Sequence, residues 1–152
     1  MPALEIIAVV AGSLVAVLAV WAMLLPIVAW FSGWRLLAEQ FAAAPGTRGR
    51  LVLGNAAMRY GAHYSGIILL DCLPAGLVLS VRKPFRLAHP PLLIPWSQVE
   101  AEPTKLLWIL PATRLDLGRD AHVPLIFYSS EAREWVDPYL GASGEPHTTS
   151  LA

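Results

Sequence analysis

A stretch of 26 residues without an ionisable side chain, from Ile6 to Phe31, constrains this chain more than any other feature. Only Gly12, Ser13 and Pro26 interrupt its apolar residues. An α-helix rises about 1.5 Å per residue and the hydrocarbon core of a bilayer is about 30 Å thick, so about 20 apolar residues cross it. The stretch therefore predicts a transmembrane helix over residues 4–31.

The remainder of the 152-residue chain has the hydrophobic content of an ordinary folded domain. The whole chain is 56% hydrophobic and 14% charged, and without the apolar stretch the hydrophobic share falls to about 49%. About 120 residues then remain, which is enough for one domain and too few for two. This composition excludes a one-piece soluble enzyme, a disordered chain and a polytopic transporter, and it predicts a single span with one attached domain.

A cleaved signal peptide is the competing interpretation of the apolar stretch, and its flanks argue against that. Signal peptides begin with basic residues and end in a small-x-small cleavage site. This chain begins Met-Pro-Ala-Leu-Glu, and the stretch ends among bulky aromatic residues, Trp30, Phe31 and Trp34. We therefore predict that the span is retained.

The basic residues near the span predict its orientation. Arg35, Arg48 and Arg50 follow it within about 20 residues and none precedes it, so the positive-inside rule places the N-terminus outside and the C-terminal domain in the cytoplasm. Trp30, Trp34 and Arg35 are the predicted anchors at the membrane interface, because an indole ring has an apolar body and a polar N–H.

An amphipathic juxtamembrane helix is predicted over residues 32–44. Trp34, Leu37 and Phe41 fall on one helical face, whereas Arg35 and Glu39, four residues apart, fall on the other. The pattern indicates a helix in or just below the headgroup region. The Ala-Pro-Gly-Thr segment at 44–47 ends this helix and links the anchor to the domain.

Period-two alternation dominates the domain, which we place at residues 48–140. It is clearest where Leu77, Leu79 and Val81 alternate with polar or smaller neighbours. The pattern predicts seven strands, at about 50–60, 66–72, 77–82, 92–100, 104–110, 114–117 and 122–128. Short turns at 74–76 and 118–120 predict antiparallel hairpins, and Pro124 predicts that the last strand lies at a sheet edge or that its edge is irregular.

A helix is predicted after the last strand. The pair Ser129-Ser130 supplies an N-cap with acidic residues in the first turn, and Pro138 ends the helix. Trp135 is expected to face inward. The small and polar tail at 141–152 is predicted to be disordered.

Seven antiparallel strands followed by one helix with a central tryptophan resemble the pleckstrin-homology (PH) superfold. The segment from Gly76 to Ser80 resembles the Gly-x-Leu-x-Ser/Thr strand of bacterial PH-like and GRAM-like domains, and 93–99 resembles their Ile-Pro-x-x-x-Ile strand entry. Segments 33–38 and 89–96 resemble small bacterial single-pass membrane proteins. The resemblance covers about residues 33–140. It implies a seven-stranded antiparallel PH-like barrel or sandwich capped by a C-terminal helix, anchored in the inner membrane, in a family with no assigned reaction.

The chain carries no recognisable catalytic motif: no nucleophile elbow, glycine-rich phosphate loop, HExxH or paired cysteines. Its four histidines are scattered, and Cys72 is the lone cysteine. Asp71 is the one carboxylate inside an apolar run, either as the end of a strand or as a base. We predict no enzymatic activity, no cofactor, no metal site and no small-molecule substrate. The formal charge of +0 argues against nucleic acid as a partner.

The loop from Arg82 to Pro91 is the strongest candidate contact site. Its candidate residues for contact with an anionic lipid or a partner are three cations, an exposed Phe and a histidine: Arg82, Lys83, Arg86, Phe85 and His89. The alternative is a solvated hairpin loop. Trp96 and Trp108 either fill the core or mark a docking site.

The predicted function is a non-catalytic, membrane-anchored interaction module at the cytoplasmic face of the inner membrane. Its predicted partners are the lipid bilayer and a membrane or membrane-proximal protein, which the domain docks. The alternative is a peripheral module that binds anionic lipid through loop 82–91.

Overall fold

A computed structural model of the chain describes residues 2–106 and 109–141. Within them, two helices, α1 (Pro2–Phe31) and α2 (Trp34–Phe41), precede nine strands, and a third helix, α3 (Ser130–Gly141), follows. Apart from Gly141, the predicted disordered tail lies outside the described residues, as does Trp108.

The strands form two antiparallel sheets. The first has four strands, in the order β1 (Leu51–Val52), β4 (Ile68–Leu73), β5 (Gly76–Val81) and β6 (Leu92–Ile94). The second has five, in the order β3 (His63–Ser65), β2 (Asn55–Ala57), β9 (Val123–Phe127), β8 (Leu110–Leu117) and β7 (Val99–Leu106). The structure confirms a mainly β domain between an N-terminal apolar helix and a C-terminal helix. The described residues contain nine strands, however, where the pattern predicts seven.

The two additional strands arise because the predicted strand 50–60 is divided into β1 and β2, and because β3 lies outside every predicted strand. β1 pairs with β4 in the first sheet, whereas β2, which begins at Asn55, pairs with β3 and β9 in the second. The predicted strand 92–100 is likewise divided into β6 and the start of β7 by a 3₁₀ turn at Trp96–Gln98. The predicted strand 104–110 is wrong, because residues 104–106 end β7 and Leu110 begins β8. Alternation of side chains can continue through such a bend, so periodicity alone does not show where a strand changes sheet.

Both predicted hairpins are present, but the predicted edge position of the last strand is wrong. β4 pairs with β5 through Leu73 and Gly76, and β8 pairs with β9 through Leu117 and Val123. β9 lies between β2 and β8. β2 pairs only with the C-terminal end of β9, at Ile126 and Phe127. Pro124 therefore has a neighbouring strand on one side only, that of β8, where it lies opposite Asp116. A proline fits there at little cost in ladder hydrogen bonds.

Apolar side chains from both sheets form one buried cluster that α3 covers through Ala132 and Val136. The predicted serine cap is present, since the backbone N–H of Ala132 donates to Ser129 Oγ at 3.2 Å. Trp135 is half-buried and packs against the cluster. The helix does not end at Pro138 but continues to Gly141. The bond that the proline removes falls in the last turn, on an exposed face, where water can take its place.

The chain turns sharply between α1 and α2 at Gly33. This residue has φ +82°, and a Cβ atom there would lie 2.8 Å from Val123 Cγ2. Both the left-handed backbone and the close approach favour glycine. The turn brings the start of α2 against the second sheet.

The predicted position of α2 at the headgroups is corrected by its packing. Its apolar face is the predicted one, but Trp34 and Leu37 are fully buried in the domain cluster. The helix also ends at Phe41, before the predicted end at residue 44. It ends there because Ala42 bridges to Leu92 of β6 and the N–H of Ala43 donates to the carbonyl of Pro91 at 2.8 Å.

Replacement of Gly76 by alanine tests the closeness of β5 and β6. A Cβ atom at Gly76 would collide with the carbonyl oxygen of Ile94, so we expect Gly76→Ala to lower the free energy of unfolding by about 3 kcal/mol. Gly54→Ala is the matched control, because a Cβ there meets nothing within 4 Å. Urea unfolding of the full chain in neutral detergent, followed by circular dichroism, measures both. Equal stability of the two variants would contradict the packing described.

Candidate membrane-contact site

The last third of α1 is packed against the domain, whereas the first two thirds are not. Leu25 and Ala29 are buried and Trp21 is half-buried. Residues four apart lie on the same face of a helix, so these three form one stripe. Every side chain from Pro2 to Val20 is exposed. Burial of Leu25 alone is worth about 2 kcal/mol, so the stripe holds the helix against the domain.

Phe85 of loop 82–91 completes this contact with α1. Its ring meets the ring of Trp21 edge-on, with centroids 5.3 Å apart. The predicted exposure of Phe85 is thus corrected, because its ring is half-buried against α1 and the domain cluster. The 3₁₀ turn Phe85–Leu87 instead presents Leu87, which is 79% exposed. Leu87 is the apolar side chain that the loop offers to its surroundings.

His89 holds the loop from inside the domain. Its Nδ1 lies 3.2 Å from the carbonyl oxygen of Phe85, and its Nε2 lies 3.1 Å from the hydroxyl of Tyr64. A carbonyl only accepts, so Nδ1–H donates to Phe85, and Nε2 accepts from the Tyr64 O–H. Burial lowers the pKa of His89 below its usual 6.5, against the opposing effect of the Phe85 hydrogen bond. The side chain is 1% exposed, so the prediction that His89 touches a lipid or a partner is corrected.

The three predicted interface anchors do not share one environment. Trp30 and Arg35 are exposed, and Arg35 pairs with Glu39 at 3.5 Å. Trp34 has no exposed surface, and its Nε1–H donates to the carbonyl of Pro90 at 2.9 Å. Its indole is therefore a core side chain that connects α2 to loop 82–91. The predicted contact of Trp34 with the membrane interface is corrected.

A cavity of about 240 Å³ lies beside the loop, and its charged lining is wholly cationic. Its lining consists of four cations and two apolar side chains: Arg48, Arg82, Lys83, Arg86, Leu69 and Val81. Among the ion pairs of the described residues, none involves any of these four cations. We call this site the basic cavity.

Arg86 organises the basic cavity by tying the linker to the loop. Its Nη2 donates to the carbonyls of Pro45 at 2.8 Å and Thr47 at 3.3 Å. This contact brings Arg48, the next residue of the linker, to Arg82 and Lys83. The loop cations could be predicted from the sequence, whereas the part that Arg48 plays in the site could not, because Arg48 lies 34 positions before Arg82.

The carboxylate and thiol that stood out in the sequence have structural partners. Arg50 binds Asp71 through two hydrogen bonds, of 2.8 Å from Nε and 3.0 Å from Nη2, and the N–H of Cys72 donates to the same carboxylate at 2.9 Å. Burial, with a smaller contribution from the Asp71 charge, raises the pKa of the Cys72 thiol to about 11. This thiol is protonated at neutral pH and is not a nucleophile there.

Trp96 lies at the margin of the core. Its ring stacks on Tyr139 with centroids 4.8 Å apart, and its Nε1–H donates to the carbonyl of Leu73 at 2.7 Å. These contacts occupy both the face and the polar edge of the indole.

The end of the β7–β8 hairpin is a second exposed surface, which the sequence analysis missed. Ile109 is 82% exposed and Leu110 is 54% exposed. They belong to a run of five apolar residues, 106–110, which was assigned to a strand. A run of consecutive apolar residues of that length, without the polar alternation of a half-buried strand, is the pattern that indicates such a surface.

No group of three or more His, Cys, Asp or Glu side chains among residues 2–106 and 109–141 is arranged to hold a metal ion.

In the same residues α1 is the helix whose length and composition allow it to cross a membrane. Comparison of the chain with protein-family models, with curated proteins and with solved structures gave no match.

The lowered pKa of His89 predicts a loss of stability in mild acid. When the folded pKa lies below the unfolded value, the unfolded chain binds the proton first, so stability falls as the pH drops below about 6.5. We expect the thermal midpoint of the full chain in neutral detergent to fall between pH 7.5 and pH 5. His89→Asn should flatten this dependence and lower the midpoint at pH 7.5. His63→Asn removes an exposed histidine of β3 and should retain the wild-type dependence of the thermal midpoint on pH. The same dependence in both variants would contradict the conclusion that His89 causes the loss of stability in acid.

Proposed function

We propose that this chain is a non-catalytic, single-pass protein of the bacterial inner membrane whose PH-like domain rests on the cytoplasmic surface of the bilayer as an interaction module. The observation that carries the proposal is the contact of Phe85 with Trp21, inside the apolar helix. A domain that hung from the end of its anchor would not reach back along the helix in this way.

The position of Trp21 along α1 supports contact with the bilayer surface. Residues 2–21 are 20 residues, or about 30 Å of helix, which equals the thickness of the hydrocarbon core. The remaining ten residues of α1 extend about 15 Å further. If residues 2–21 fill the hydrocarbon, Glu5 lies in the first turn, about 5 Å from the outer edge of the hydrocarbon, and a loop that touches Trp21 lies at the inner boundary. Leu87 and the loop cations then lie among the headgroups.

The packing of α1 supports its retention as an anchor. Leu25 and Ala29 are part of the surface that the domain buries, and removal of α1 would uncover the apolar side chains that they cover. A signal sequence can have the same length and apolar composition as a membrane span, but it has no need of such contacts. The proposed orientation places the loop cations on the cytoplasmic side, where anionic lipids attract basic segments.

The proposed PH-like fold is supported by the order of the strands. If β1 with β2 and β3 with β4 are counted as two bent strands, the domain has seven, followed by a helix. Two antiparallel sheets share those first two bent strands. Strands that pass from one sheet to the other are typical of orthogonally packed sheets.

A fluorescent label at position 87 tests the position of the loop at the membrane. We expect NBD attached to Leu87→Cys, in the full chain reconstituted in phosphatidylcholine vesicles, to be quenched strongly by lipids with a nitroxide near the headgroup. The single native thiol, Cys72, does not interfere, because it is buried and its pKa is raised to about 11.

Ala75→Cys with the same label is the matched control. Ala75 is exposed in the β4–β5 turn, at the opposite end of β5 from the loop, about 16 Å away along the strand. Weak quenching there and strong quenching at position 87 would support the proposal. Equal quenching at the two positions would refute the proposed orientation of the domain on the bilayer.

Docking of a partner protein is a second candidate function, favoured by the exposed hairpin end. Ile109 and Leu110 lie at the end of β8 opposite Gly118, and a Cβ at Gly118 would contact Leu37 and Phe41 of α2. The hairpin end is therefore about 26 Å along the strand from α2. Exposed apolar side chains at the end of a hairpin are suited to an apolar segment of a membrane-proximal protein.

Photo-crosslinking from position 109 tests this second function. We expect benzoylphenylalanine in place of Ile109 to give a discrete adduct in native membranes, and Leu110→Asp to reduce that adduct strongly because the charge opposes apolar contact. Benzoylphenylalanine in place of Ala75 is the control for nonspecific adducts. The docking function would be contradicted by identical adducts at the two positions, or by adducts of this chain with itself alone.

A further inference from the structure

We propose that the basic cavity is a binding site for a phosphate group, of the kind carried by an anionic phospholipid headgroup. Of the chain's 11 lysine and arginine residues, four line this one cavity: Arg48, Arg82, Lys83 and Arg86. The assignment of a phosphate group rests on the cavity itself. The assignment of a lipid as its source rests on the proposed function.

The electrostatics of the cavity call for an anion. The lining residues include no carboxylate, and none of the ion pairs among the described residues involves these four cations. Like charges gathered around one space repel one another, and an anion placed among them relieves that repulsion. By contrast, Arg50, which precedes β1, and Arg114, which lies within β8, are paired with Asp71 and Asp116.

The geometry of the cavity is held in place by the fold. Arg86 is fixed by its bonds to the carbonyls of Pro45 and Thr47, and the N–H of Arg82 donates to the carbonyl of Ile67 at 2.9 Å. The linker and the loop therefore present their cations from two sides. A guanidinium group can bind two phosphate oxygens at once, and a lysine adds a point charge on a flexible side chain.

The volume and the apolar lining of the cavity favour a phosphate ester, in which the phosphate carries an attached carbon group. Its volume of about 240 Å³ exceeds that of a phosphate group alone, and Leu69 and Val81 supply an uncharged wall. A headgroup phosphate brings glycerol carbons that can lie on such a wall. Lys83 and Arg86 also border a shallow apolar depression with Leu87, which continues from the cavity toward the side chain that we place at the membrane.

Lipid retention by matched charge variants tests the proposal. The full chain is reconstituted in bilayers of equal phosphatidylglycerol and phosphatidylcholine, extracted into neutral detergent, and the retained lipids are measured by mass spectrometry. We expect the wild type to retain phosphatidylglycerol preferentially. Each cation near an anionic group contributes about fivefold in affinity, so R48Q/R82Q/K83Q should weaken retention by about a hundredfold. Arg86 is left unchanged because it holds the linker.

The control K105Q/R119Q/R133Q removes the same charge from exposed positions outside the cavity and should retain the lipid. Thermal midpoints of both variants check that they fold. Calorimetry with inorganic phosphate and with glycerol 3-phosphate separates the two sources. Preference for phosphatidylglycerol without binding of either soluble phosphate supports a lipid. Binding of a soluble phosphate that R48Q/R82Q/K83Q loses and the control retains supports a soluble ligand.

The proposal is overturned if the wild type neither prefers phosphatidylglycerol nor binds the soluble phosphates, or if the two triple variants weaken binding equally. This result is distinguishable from failure of the proposed function. The label at Leu87→Cys is read in uncharged phosphatidylcholine vesicles, so it reports the orientation of the domain whether or not the basic cavity binds phosphate.

Discussion

The burial of Ala29 and Trp34 joins the end of the apolar helix and the start of α2 to the domain core, and the other features of the molecule depend on it. A span joined to its domain by a linker alone would leave the domain free to rotate. Here α1 contributes Ala29 to the core cluster, and the turn at Gly33 directs α2 into the domain, where Trp34 and Leu37 join the same cluster. The orientation of the domain relative to the helix is therefore set by apolar packing and by the Trp34 hydrogen bond to Pro90.

This packing determines which surface of the domain faces α1. Loop 82–91 lies beside Trp21 because Phe85 packs there and His89 holds the loop backbone through Phe85 and Tyr64. The cations of the loop are consequently gathered on the side of the domain where the helix passes. In a chain that is only 14% charged, the convergence of four cations on one cavity uses a large part of the available charge. The proposals for membrane contact and for phosphate binding both follow from that distribution.

Several features could be predicted from residues close together in the chain, because local chemistry decides them. The apolar helix, the antiparallel hairpins at 74–76 and 118–120 and the Ser129 cap depend on hydropathy, turn residues and a hydrogen bond over three positions. The expectations for Pro124 and His89 failed. Whether a proline lies at an edge depends on which distant strand pairs beside it, and the burial of His89 depends on Tyr64 and Trp34.

By itself, the sequence determined that an apolar helix long enough to span a bilayer precedes an antiparallel β domain with a C-terminal helix. These conclusions rest on side-chain periodicity and composition, which are properties of neighbouring residues. Only the tertiary structure decided that the amphipathic face of α2 is buried in the domain, and that Arg48 joins Arg82 in the basic cavity. An amphipathic pattern requires an apolar partner without specifying it, because a membrane and a protein core satisfy the same hydrophobic face equally well. The partner is chosen by contacts between residues far apart in the chain, which the fold alone brings together.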